Sequence, residues 1–184
     1  MKILLHTCCG PCGIMPVEKL LEDGHQVTTY FYNPNIHPYQ EYKRRKNTFR
    51  DYMATQPVDV VIEDDYALED FLLHVANRVD TCCAYCYEAR LQKAAIYAKE
   101  HGFDAFSTTL LVSIYQNHEL IQQIGGQMGE TYGIPFYDQD FRPFFREGQQ
   151  KARDLDLYMQ GYCGCIYSEK DRYCKKKKAK QSQS

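Results

Sequence analysis

Near its start the chain runs from a short apolar stretch, residues 3–5, through the turn TCCGPCG into apolar residues at Ile14, Val17, Leu20 and Leu21. The stretch KILLH reads as a buried strand, and the spacing that follows it as a helix with one apolar face. The same alternation recurs. Residues 26–32, QVTTYFY, are rich in β-branched and aromatic side chains and are stopped by Asn-Pro-Asn, after which residues 38–53 follow a polar helical pattern. Residues 58–62 read as a further strand, and residues 66–79 and 83–100 as helices. Residues 104–108 read as a short strand and residues 120–132 as a helix, despite Gly125, Gly126 and Gly129. Residues 134–137 suit a last strand and residues 149–160 a last helix. Strands alternating with helices predict an α/β fold, a Rossmann-like parallel sheet with helices on both faces. Such sheets bind ligands at the carboxyl ends of their strands, which is where TCCGPCG falls.

A chain of 184 residues with 44% hydrophobic content supports one substantial core. Residues 1–174 are expected to form a single α/β metalloenzyme domain. The segment KKKKAKQSQS, residues 175–184, has no apolar side chain larger than Ala179 and is expected to be a disordered basic tail. No stretch is long and apolar enough for a membrane span, and MKILLHTCCG is too short in apolar residues for a secretory signal. A cytoplasmic location is expected, where thiols stay reduced and clustered cysteines serve metal or redox chemistry.

Nine cysteines then need a chemical reason. Cys8, Cys9 and Cys12 follow the first strand, Cys82, Cys83 and Cys86 form CCAYC, and Cys163 and Cys165 form CGC. Cys9-Gly-Pro-Cys12 and Cys83-Ala-Tyr-Cys86 are both C-x-x-C pairs that could supply four thiolates to zinc or to an iron-sulfur cluster, and spacing does not choose between those metals. Cys9-Gly-Pro-Cys12 at a helix start would also suit a thiol-disulfide oxidoreductase. A disulfide closed over one residue at Cys163-Gly-Cys165 would be easily reduced, which suits a relay. His6, His118, Asp138 and Asp140 are polar groups beside apolar runs, for which packing or turn roles are the default.

The net charge of −2 conceals a division. The five tail lysines, Lys175, Lys176 and their neighbours, leave 17 basic against 24 acidic residues in positions 1–174, a balance of −7. Lys43, Arg44, Arg45, Lys46 and Arg50 lie among Tyr39, Tyr42 and Phe49, a mixture that can grip phosphate and stack bases. The tail lysines could add a salt-dependent polyanion tether.

Taken in order, HTCCGPC, FYNPNIHPYQEYKRR, CAYCYEARL, STTLLVSIYQNHELI, FYDQDFR and YCGCIYS resemble the QueH-type epoxyqueuosine reductases over residues 6–168. The resemblance implies an adenine nucleotide α-hydrolase-like fold. It also implies reductive removal of the epoxide oxygen of epoxyqueuosine at the wobble position of tRNA. It places a 4Fe-4S cluster on Cys8, Cys9, Cys83 and Cys86 and a redox-active pair on Cys163 and Cys165. An additional mononuclear iron is expected at Cys12. The substrate is then tRNA containing epoxyqueuosine, gripped by Lys43, Arg44, Arg45, Arg50, Lys175 and Lys176. Tyr32, Tyr39 and Tyr115 are stacking candidates, and Asp138 and Asp140 could assist protonation. An electron donor outside the chain is required. Thr81-Cys82 and Met159-Gln160-Gly161 depart from the family pattern, where an arginine-cysteine start and a more basic run are expected. The competing readings are a zinc-stabilised RNA-binding protein without redox turnover and a thiol-disulfide oxidoreductase.

Overall fold

The computed structural model describes residues 1–77 and 81–174. Strands β1 (Lys2–His6), β2 (Gln26–Phe31), β3 (Asp59–Ile62) and β4 (Ala105–Thr108) form one parallel sheet in the order β3-β2-β1-β4. β1 pairs on both sides, with Ile3 opposite Val27 and Ala105 and His6 opposite Tyr30 and Thr108. Ile3, Leu4 and Leu5 are completely buried, which is why this strand is a continuous apolar run rather than an alternating one.

Among the described residues seven α-helices accompany the sheet: α1 (Gly10–Glu22), α2 (Tyr39–Met53), α3 (Leu68–Val75), α4 (Cys82–Glu100), α5 (His118–Tyr132), α6 (Phe145–Asp154) and α7 (Ile166–Tyr173). The strand order steps from β1 outward to β2 and β3, then returns to the far side of β1 for β4. Right-handed crossovers put the helices of the outward path on one face and those of the return on the other. The packing agrees, since α1 meets α2 and α6 while α4 meets β1, β4 and α5. The reversal beside β1 opens a crevice at the carboxyl ends of β1 and β4, and the turn TCCGPCG stands there. No helix among the described residues is long and apolar enough to cross a membrane.

Three elements differ from the sequence expectation. Residues 134–137 make one bridge, Phe136 to Phe106, and no strand. The Ile134 amide is already bonded to the Gly129 carbonyl, and Pro135 has no amide hydrogen to extend the ladder. The last predicted helix starts earlier, at Phe145, and stops at Asp154, because Asp156 turns into the left-handed region at φ 51° and the Leu157 amide bonds back to Ala152. The helix predicted over 66–79 spans Leu68–Val75, and part of that range, including Val79, lies outside the described residues.

Two of the three glycines of α5, Gly125 and Gly129, are explained by close approach. A Cβ on Gly129 would stand 2.8 Å from the Ile134 carbonyl oxygen, whereas one on Gly126 would meet nothing within 4 Å. Gly129→Ala is therefore expected to destabilise the fold by about 1–3 kcal/mol through overpacking against backbone. Gly126→Ala should stabilise it by about 0.5–1 kcal/mol by restricting the unfolded chain and favouring helix. Urea unfolding of the two variants tests the contrast; equal effects would mean that α5 is not held at Gly129.

Candidate active site

β1 ends at His6, and Cys9 caps α1 in extended backbone with Pro11 in the first turn, where its missing amide hydrogen costs nothing. Beyond the strand, Cys8 and Cys9 need no longer point to opposite faces. The Sγ atoms of Cys8, Cys9 and Cys12 all lie within 4.8 Å of one another, and those of Cys8 and Cys9 are 3.8 Å apart. Sulfurs around one tetrahedral ion with metal–sulfur bonds near 2.3 Å sit ~3.8 Å apart, so this spacing suits a single ion shared by three thiolates. The Thr109 hydroxyl donates to Cys8 Sγ at 3.6 Å. Gln160 Nε2 donates to Cys9 Sγ at 3.0 Å and to Cys12 Sγ at 3.4 Å. Hydrogen bonds from Cys12, Cys9 and Thr109 hold the Cys8 thiol well below its ordinary range. Burial pushes Cys9 up, and donation to Cys8 pushes Cys12 up.

The remaining thiols gather elsewhere. Cys82, Cys86 and Cys165 pack with Phe71 and Val75 in a small buried cluster, with Cys83 and Cys163 exposed beside it. Burial pushes the Cys82 thiol up to about 12 and Cys86 up as well. Cys83 and Cys86 lie outside the 4.8 Å group of Cys8, Cys9 and Cys12. Cys165 caps α7, its sulfur accepting from the Ser168 amide at 3.4 Å, and Gln116 Nε2 donates to Cys163 Sγ at 3.3 Å.

The segment that carries this last pair is clamped through its backbone. Arg45 donates to the carbonyls of Cys163 and Tyr162, each at 2.9 Å, and the His37 amide donates to Gly164 O at 2.8 Å. Gly164 has φ +147°, and a Cβ there would crowd Asn35, Ile36 and Arg45. Arg45 was expected to grip RNA, but it is 1% exposed and ion-paired to Glu41 at 2.6 Å, because α2 turns it inward between Glu41 and the CGC segment. Lys43 and Arg44 do face outward, Arg44 over the Tyr158 ring, and exposed Arg50 pairs with Asp51. Lys175 and Lys176 lie outside the described residues.

Other expected residues separate clearly. Asp138 is exposed and accepts from Gln122. Asp140 pairs with Arg142, which holds its carboxyl down at about 2, so it stands as a carboxylate and not as an acid at neutral pH. Its Oδ1 is 3.6 Å from His118 Nε2. His6 bonds the Tyr32 carbonyl through Nε2 and Thr108 Oγ1 through Nδ1; since a carbonyl only accepts, Nε2 carries the hydrogen. Burial, with the Arg90 charge behind it, lowers His6 to about 4 and keeps it neutral. Tyr39 and Tyr115 are exposed and Tyr32 is half-buried.

Several polar residues had no signal as site residues in the sequence: Asn33, Asn35, His37, Arg90, Gln116 and Gln160. Their only marks were membership of NPNIHP, CYEAR and YQNHEL, and the departure at Gln160. Burial marks four of them, because Asn33 Oδ1, Asn35 Oδ1, Gln160 Oε1 and both ring nitrogens of His37 are buried without a hydrogen-bond partner.

A family model described as Epoxyqueuosine reductase QueH matches residues 3–171. The chain belongs to this family. It is 34% identical over 174 residues to the epoxyqueuosine reductase QueH of Dehalococcoides mccartyi, covering 95% of this chain and 96% of that one. It is 31% identical over 180 residues to the QueH of Thermotoga maritima, covering 92% and 91%. Among solved structures it resembles the U34-tRNA thiolase NcsA from Methanococcus maripaludis with its 4Fe-4S cluster, with a TM-score of 0.60 at 13% identity over 91% of this chain. The chain spans 61% of that thiolase. It also resembles a predicted subunit of tRNA methyltransferase from Methanocaldococcus jannaschii, with a TM-score of 0.51 at 10% identity, covering 82% and 74% of the two chains. At such identities the likeness is one of fold, and this QueH-family chain has the adenine nucleotide α-hydrolase-like architecture.

Two predictions follow from the clamp around Gly164. Arg45→Ala leaves the buried Glu41 carboxylate without its cation and should cost about 3–5 kcal/mol in urea unfolding. Arg45→Met with Glu41→Gln should recover part of that loss, and no recovery would mean that the ion pair is not what the site depends on. The second concerns His37, whose ring packs on Phe71 and Tyr66 and whose folded value burial lowers to about 4. The unfolded imidazole binds its proton near 6.5, so stability should fall as pH drops from about 6.5 to about 4 and the His37 contribution should level off below that. His37→Phe should flatten this slope, and an unchanged slope would place the acid sensitivity elsewhere.

Proposed function

We propose that the protein is an iron-sulfur-dependent epoxyqueuosine reductase, which removes the epoxide oxygen of epoxyqueuosine at the wobble nucleoside of tRNA. The carrying observation is the convergence of free thiols at the carboxyl end of the central strand of a QueH-family chain, three of them within 4.8 Å. The residue types suit such a centre. Thiolates are soft ligands suited to iron and sulfide, and their hydrogen bonds here come from Thr109 and Gln160. Gln160, which reaches Cys9 and Cys12, also keeps a buried acceptor, Oε1, without a partner. Cys8, Cys9, Cys83 and Cys86 would hold the 4Fe-4S cluster, and Cys12 would be a ligand to an additional mononuclear iron. When bound, the cluster supplies electrons one at a time.

Conversion of an epoxide to an alkene consumes two electrons and two protons and releases the oxygen as water. Oxidation of the Cys163 and Cys165 thiols to a disulfide releases two electrons and two protons, so the pair balances one turnover. Cys165 is buried and fixed at the start of α7, while Cys163 is exposed and accessible to an electron donor from outside the chain that restores the dithiol. Arg45 keeps the segment in place through its carbonyls. Asp138 or a Tyr group of FYDQDFR would assist protonation of the departing oxygen, while Asp140 is tied to Arg142. Lys43, Arg44 and Arg50 would meet the tRNA phosphates on the side of α2 next to Tyr158, with Lys175 and Lys176 adding charge and Tyr39 and Tyr115 offering rings to unstacked bases. A tRNA substrate and clustered thiols that must stay reduced would suit a cytoplasmic enzyme.

The test is iron, acid-labile sulfide and zinc per chain in anaerobically purified protein, followed by turnover on epoxyqueuosine-containing tRNA. Iron with sulfide and turnover are expected; zinc without sulfide after attempted reconstitution would replace this reading with that of a zinc-stabilised RNA-binding protein. Replacing Cys163 and Cys165 with serine should lower turnover and leave the cluster spectrum intact. Undiminished turnover with a physiological reductant would remove the pair from the electron path.

A further inference from the structure

Arg45 and Arg90 are both buried, but the fold treats them differently. Arg45 has Glu41 as its counter-charge. Arg90 is 2% exposed, and no carboxylate of the described residues lies within ion-pair distance of it. Its Nε donates to the Cys86 carbonyl at 2.7 Å, and the face of Tyr87 lies 5.8 Å from its guanidinium carbon. A backbone carbonyl and a ring do not neutralise a full charge, and a buried cation left without an anion is strongly unfavourable.

The placement of the charge shows what anion it meets. Cys83, Cys86 and Arg90 follow one another at i, i+3 and i+7 on α4 and therefore share a helix face. The guanidinium charge also acts on Cys83, on Cys86 and on His6, which is two residues before Cys8 at the end of β1. Arg90 thus stands beside the thiols delivered by α4, one turn beyond Cys86 on the face that carries Cys83. Four thiolates bring four negative charges to this place, more than an iron-sulfur core offsets, and reduction adds one more.

We infer that Arg90 is the counter-charge of the iron-sulfur centre, a positioning residue whose buried guanidinium favours the reduced state. The inference rests on the iron-sulfur reading above. Net charge is one of the terms that set cluster potentials, and a cation in a low-dielectric crevice acts strongly across the distances involved.

The experiment is redox titration of the loaded protein, followed by electron paramagnetic resonance, in wild type, Arg90→Met and Arg90→Lys, with iron and sulfide measured in each. Arg90→Met should lower the reduction equilibrium at least tenfold, which for a one-electron couple is ~59 mV. Arg90→Lys keeps the charge and should return most of the shift. If Arg90→Met fails to load while Arg90→Lys loads normally, the need for charge is again supported. A fully loaded Arg90→Met with the wild-type potential would overturn the inference, as would a lysine variant that behaves like methionine in potential or in loading. Wild-type protein that takes up no iron and sulfide would overturn the iron-sulfur reading itself, and this inference with it.

Discussion

Everything at the site hangs on the double pairing of β1. Because β1 pairs with both β2 and β4, it lies in the interior of the sheet, and its last residue, His6, faces Tyr30 on one side and Thr108 on the other. The segments leaving those three strands are therefore neighbours: Thr7 to Cys12 from β1, Tyr32 to His37 from β2, and Thr109 onward from β4. The hydrogen bonds between them are few and specific. The Thr7 amide bonds to Tyr30 O, Asn33 Nδ2 to Thr7 O, and the Cys8 amide to Thr109 Oγ1. A parallel sheet with the reversal next to β1 thus fixes the thiols in space before any metal is considered.

Around that centre, charge is used sparingly. The two carboxylates of FYDQDFR sit at the surface, and buried His6 and His37 are held neutral by the cost of burying a cation. Polar neighbours of the sulfurs are neutral donors, Thr109, Gln116 and Gln160. Against this background the two buried guanidinium groups stand out, one holding the backbone of the CGC segment and the other beside the α4 thiols, with no ion-paired carboxylate among the described residues. A crevice lined in this way suits an anionic sulfur-rich centre.

How much of this was legible depended on range. β1, β2 and α1 could be read directly, because burial on both sides of β1 leaves an unbroken apolar run and α1 repeats its apolar residues at helical spacing. The bridge at Phe136 could not, because its shortness comes from Gly129 taking the Ile134 amide across a turn. The basic stretch of α2 read as one patch, yet Arg45 points inward while Lys43 and Arg44 point outward; composition gives the charge but the helix face is decided by what packs against it. Gln160 and Arg90 carried no chemical signature, since a glutamine and an arginine are ordinary surface residues until the fold buries them.

The sequence by itself determined the alternation of strand and helix, the position of TCCGPCG behind the first strand, the clustering of the cysteines and the family, because these are local patterns that need no knowledge of distant contacts. Only the tertiary structure decided which thiols meet: Cys8 and Cys9 with Cys12, and Cys82 and Cys86 with Cys165 from the far end of the chain. It also decided that Arg45 and Arg90 serve the interior. The physical reason is that burial and hydrogen-bond satisfaction belong to a residue's surroundings, and those surroundings are assembled by segments more than a hundred residues apart, as in the bonds from Arg45 to Tyr162 and Cys163.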